Sequence, residues 1–91
     1  MTKTKVASVI GLWLDRGHET MWIVSRDQMN ESGQAEYTRT VATYSEDDYA
    51  DAKIHAIDLA QQGCYCVIQT EADQSQTCIY QPEGAVNPLG A

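Results

Sequence analysis

The sequence predicts an α+β domain, a mostly antiparallel five-stranded sheet with one helix packed on one face, in the order β-β-β-α-β-β. Five short runs rich in Val, Ile, Thr, Trp, Tyr and Cys alternate with turn residues, which is the pattern of strands. One stretch opening at Ser45 has small apolar residues at helical spacing. A chain of 91 residues, 43% hydrophobic and 21% charged, supplies one core and no more. Residues 6–80 are therefore expected to form the domain, with flexible ends at 1–5 and 81–91.

Val6 to Leu14 is apolar on both parities, as expected of a central strand. Asp15-Arg-Gly-His18 carries turn chemistry, and Thr20 to Val24 is the second half of a hairpin. A four-residue loop pairs Leu14 with Glu19, sets Gly11 opposite Trp22 and puts both tryptophans on one face; a five-residue loop separates them. The four-residue loop is the expected one. Gln28 to Ala35 reads as a polar connection, and Glu36 to Tyr44 as a third strand rich in Thr and Tyr.

Ser45-Glu-Asp-Asp48 has the form of a helix start, a hydroxyl with an acid three residues later and further acids at the positive end of the dipole. The helix is expected from about Glu46 to Gln62, ended by Gly63 in a left-handed cap. Its inward stripe is Tyr49, Ala52, Ala56, Ile57 and Ala60, small enough to lie close on a sheet, with Leu59 at the margin. Cys64 to Thr70 and Thr77 to Tyr80 complete the strands, and a tail with both prolines follows.

The charge of −7 is unevenly placed. Up to residue 45, acids and bases cancel; beyond it Glu46, Asp47, Asp48, Asp51, Asp58, Glu71, Asp73 and Glu83 face Lys53 alone. At 100° per residue Asp47, Asp51 and Asp58 converge within about 40°, opposite the apolar stripe, with Asp48 and His55 beside them. Asp47 and Asp51 are about 6 Å apart along the axis, a spacing comparable to that of phosphates along a nucleic-acid strand. Such a face suits a basic groove that ordinarily holds nucleic acid, although a solvated helix face has the same composition. Direct nucleic-acid binding is disfavoured, because six basic residues are scattered along an acidic chain.

No dinucleotide or P-loop glycine pattern is present, so no phosphate-binding motif is read. His18 in a turn and His55 on the helix belong to no pattern of nucleophile, base and orienting acid, and no enzymatic activity is expected. Cys64, Cys66 and Cys78 are too few for a structural zinc site and lack a fourth ligand, so buried reduced thiols are expected and no cofactor is implied. A small-ligand or metal-binding domain using these cysteines is retained as an alternative. In the expected register Val9, Trp13, Trp22 and Val24 form an apolar patch on the sheet face away from the helix, open to a second copy, to a target, or to the tail or the Gln28 to Ala35 connection folding over it. The first of these gives another alternative, a homodimeric accessory protein.

The helix Ser45-Glu-Asp-Asp48 with Asp51 and Asp58, the Cys64 to Tyr80 hairpin and the short Pro-bearing tail resemble the small acidic proteins by which phages inactivate host defences, anti-CRISPR proteins above all. The resemblance is one of architecture, over most of the chain. It implies stoichiometric inhibition, with acids binding Lys and Arg of a CRISPR–Cas complex, and hence Glu46, Asp47, Asp48, Asp51 and Asp58 as partner-binding residues. It further implies a cytoplasmic location in a bacterial host, in keeping with the absence from the sequence of a run of the roughly 20 apolar residues that cross a bilayer.

Overall fold

The computed structural model describes residues 7–17, 19–29, 35–85 and 89. Strands β1 (Ala7–Arg16), β2 (Thr20–Met29) and β3 (Ala35–Ser45) are followed by a 3-10 turn (Glu46–Asp48), helix α1 (Tyr49–Gly63), and strands β4 (Cys66–Thr70) and β5 (Gln76–Tyr80). The sheet order is β3-β2-β1-β4-β5. The α+β class and the element order are those expected. The sheet is mixed: α1 carries the chain across one face and returns it as β4, parallel to β1. The helix joins β3 to β4 over the intervening β2 and β1; such a crossover leaves β4 parallel to β3, and β3, antiparallel to β2, runs parallel to β1.

The β1–β2 register differs from the expected one. Arg16 pairs with Thr20, Leu14 with Trp22, Leu12 with Val24 and Gly11 with Ser25. The turn is thus tighter than four residues, and the change of parity sends Trp13 and Trp22 to opposite faces. The Val9, Trp13, Trp22 and Val24 patch is therefore divided. Trp22 and Val24 lie under the helix with Ile10, Leu12, Val67 and the alanines Ala52, Ala56 and Ala60. Val9 is on the other face, buried with Cys66 and Ile68. Deep burial of the indole beneath the helix accounts for the outcome, since Trp22 is 7% exposed and its ring lies 4.7 Å from that of Tyr49.

The helix sits close because every residue of its central stripe is alanine, and Ala52, Ala56 and Ala60 are fully buried. Tyr49, Ile57 and Leu59 flank them as partly buried neighbours. Ser45 does not cap a backbone N–H; its hydroxyl donates instead to Asp48 Oδ2 at 3.1 Å. At the other end Gly63 is the last helical residue, and Cys64 takes the left-handed position, with φ 57° and ψ 46°. Gly63 is required for a different reason: a Cβ there would run into the ring of Tyr65.

Strand β2 continues past Val24 to Met29 because it is paired on both sides, so Gln28 belongs to a strand rather than to a connection. His18, residues 1–6, 30–34, 86–88, 90 and 91 fall outside the described residues, and with them the whole of the expected N-terminal segment and most of the polar connection. The tail, expected to wander, is held at its start. Ala85 N–H donates to Pro82 O and Gln81 Nε2 to Ala85 O, each at 3.1 Å, and Ala85 and Leu89 pack on the Val9, Cys66 and Ile68 cluster.

Candidate functional site

The outer side of α1 carries the concentrated negative charge. Glu46, Asp47, Asp48, Asp51 and Asp58 are all exposed. On the α-helical part, Asp51 and Asp58 are two turns apart, about 10 Å along the axis and within about 20° in projection, on the side away from Ala56. Asp47 departs from the expected alignment because it lies in the 3-10 turn with Glu46 and Asp48. Tighter winding there rotates each side chain further per residue than an α-helix does. The structure thus brings Asp51 and Asp58 onto one ridge and leaves Glu46, Asp47 and Asp48 as an acidic collar at the helix start.

Between Asp51 and Asp58 stands Ile54, 60% exposed. It is three residues after one acid and four before the other, within about 60° of both in projection. Ile54 is absent from the sequence-derived site, although the same spacing argument that grouped the acids includes it. A large aliphatic side chain set among carboxylates gives this ridge an apolar centre. His55, by contrast, turns from the ridge: it is half-buried, with Nδ1 2.6 Å from the Tyr44 hydroxyl and the two rings edge to face at 5.9 Å. Along the sheet side, the Tyr49 hydroxyl donates to Gln69 Oε1 at 2.5 Å and Gln69 Nε2 to Glu71 Oε2 at 2.7 Å. These contacts tie the first helical turn to β4.

The opposite sheet face carries a polar chain that sequence reasoning missed. Trp13 Nε1 donates to Ser25 Oγ at 3.1 Å, and Ser25 Oγ donates to Asp27 Oδ1 at 2.9 Å. Thr38 also hydrogen-bonds the carboxylate, while burial holds the Asp27 carboxyl above its ordinary value. Gly11 makes this possible. A Cβ there would stand 2.6 Å from both Asp27 Oδ2 and Ser25 Oγ, so the space foreseen for an indole is filled by a carboxylate and a hydroxyl. Beside the chain runs an open groove of about 710 Å³, bordered by Trp13, Arg16, Thr70, Glu71 and Gln76.

The three cysteines do not act as a set. Cys64 is exposed at the helix cap, whereas Cys66 is buried and Cys78 half-buried on adjoining strands. Burial, together with the neighbouring Cys78, pushes the Cys66 thiol up to about 11, which keeps it protonated and unreactive at neutral pH. Among the described residues no group of three His, Cys, Asp or Glu side chains is placed to hold a metal ion. No described helix is long and apolar enough to cross a membrane.

No protein-family profile matches the chain, and comparison with curated proteins and with solved structures finds nothing similar.

Proposed function

We propose that this protein works by binding another protein, without catalysis, through the outer ridge of α1. Ile54 is the observation that carries this reading. Exposed on a helix whose inner side is fully packed, it supplies an apolar anchor between Asp51 and Asp58, and Asp47, Asp48 and Glu46 extend the charge to the helix start. An anchor of this kind ringed by like charges fits a partner surface that is basic around an apolar pocket. Basic surfaces of that size occur where proteins hold nucleic acid, and a rigid acidic helix lying there competes with the phosphates. This is the stoichiometric inhibition that the resemblance to phage counter-defence proteins implies, and a CRISPR–Cas nuclease complex is the target class we assign.

The test is displacement of labelled duplex DNA from a purified CRISPR–Cas complex by increasing amounts of the protein. Displacement saturating near one protein per complex and weakening with added salt is expected. The joint variant Asp47→Asn, Asp51→Asn and Asp58→Asn should displace at least tenfold less well, and Ile54→Ala should weaken displacement with its salt dependence unchanged. Full displacement by the triple variant, folded by circular dichroism and with wild-type salt dependence, would remove the acidic ridge from the mechanism.

A further inference from the structure

Two of the basic residues that look scattered along the chain meet in space. Arg26 of β2 and Arg39 of β3 are direct cross-strand partners, on the sheet face that carries the helix. Their row continues through Ile10 to Val67. The next row on that face is Tyr37, Gln28 and Ser8. Arg26, Arg39, Tyr37, Gln28 and Ser8 border a pocket of about 240 Å³, together with Tyr65, which follows the helix, and with Val9 and Asp27. Tyr37 is 62% exposed, so one wall of the pocket is an aromatic side chain presented to solvent. The ring of Tyr65 forms another wall, in the space that Gly63 leaves for it.

Like charges on directly paired cross-strand residues destabilise a sheet. The Asp27 carboxylate, which also borders the pocket, stands over Gly11 and is hydrogen-bonded to Ser25 and Thr38. Paired planar forks beside hydroxyls, an amide and aromatic rings match an oxyanion attached to a flat group: the forks bind the oxyanion bidentately and the tyrosines stack on the remainder. A volume of about 240 Å³, open on its solvent side, is on the scale of a phosphoryl group with a sugar and a flat ring.

We propose that the Arg26–Arg39 pocket binds the phosphate ester of a small aromatic-bearing molecule of the nucleoside monophosphate class. The phosphate bridges the two guanidinium groups, and Tyr37 and Tyr65 contact the ring. The site is distant in character from the acidic ridge and does not depend on its having a partner.

The experiment is a titration of the full chain, followed by amide chemical-shift changes and by thermal melting, with adenosine monophosphate, with adenosine, and with inorganic phosphate. Adenosine monophosphate is expected to shift Ser8, Arg26, Gln28, Tyr37 and Arg39, and to bind at least tenfold tighter than either adenosine or phosphate alone. Arg26→Gln and Arg39→Gln should each weaken it at least tenfold, and Arg39→Lys should weaken it less. Without ligand, both Gln variants should melt at or above the wild-type temperature, because each removes a repulsion. A lower melting temperature for both would show instead that the pair serves the fold, for instance by balancing the C-terminal end of α1, whose last turn has no basic residue. Equal binding of adenosine and its monophosphate, no binding of the monophosphate, or wild-type affinity in both Gln variants would each overturn the proposal. A short single-stranded oligonucleotide that binds where the monophosphate does not would do so as well.

Discussion

Cys64 occupies a left-handed backbone position, φ 57°, where a β-carbon meets the following carbonyl at a cost of about 1 to 2 kcal/mol. Its N–H nevertheless closes the helix by donating to Ala60 O, and Tyr65 N–H donates to the same oxygen at 2.9 Å. Cys64→Gly keeps both bonds and removes the strain, and is expected to raise stability by about 0.5 to 1 kcal/mol. Urea melts of the reduced proteins would show this as a higher midpoint at unchanged slope. A second single-residue effect concerns Asp27. Burial raises its carboxyl above the ordinary range in the folded state, so the stability this group contributes is present in acid, where it is protonated, and is lost as pH rises from the ordinary carboxyl range through the raised folded value. Asp27→Asn retains an acceptor for Ser25 and has no charge to bury. It should be more stable than the wild type at pH 7 and indistinguishable from it at about pH 3, where carboxylates are protonated. Equal stability at both values would mean that the ionised carboxylate is fully compensated by Ser25 and Thr38.

Helix α1 owes its position to three alanines. Ala52, Ala56 and Ala60 have no exposed surface and lie against Ile10, Leu12, Trp22, Val24 and Val67. With no larger side chain on the central stripe, the Trp22 indole fits beneath the first turn, beside Tyr49. Ala56→Leu adds three carbons at the closest approach of helix and sheet, and overpacking of this kind costs about 1 to 3 kcal/mol. Ala50→Leu, on the exposed side of the same helix, should leave stability within about 0.5 kcal/mol of the wild type. Thermal melts of the two variants separate close packing from helix propensity, since both replace Ala by Leu. Comparable losses from both would contradict the helix placement.

Across the whole molecule, the half-chain imbalance of charge becomes a division of surfaces. The acids beyond residue 45 include the collar and ridge of α1, while Arg26 and Arg39, part of the neutral first half, meet at the far edge of the same sheet face. The number and type of elements, the helix stripe and the exposed acids were legible from local spacing, because periodicity and turn residues act within a few positions along the chain. Ile54 follows from the same spacing rule and differs from the acids beside it only in being apolar. Register was another matter. A hairpin turn tighter by one residue reverses every side chain that follows, and the turn Gly17 to Glu19 offers no local signal strong enough to outweigh the burial of Trp22 under the helix. From that one reversal follow the division of the tryptophans and the filling of the Gly11 space by Ser25 and Asp27.

Local sequence was thus enough to specify an α+β domain, a small-residue helix on a sheet, and an acidic outer surface. Strand order, the parallel β1–β4 pair, the polar chain from Trp13 to Asp27 and the meeting of Arg26 with Arg39 arose only on folding. They join residues a dozen or more positions apart, or depend on the parity of a strand, and both are settled by which side chains the core can bury rather than by any preference of the segments themselves.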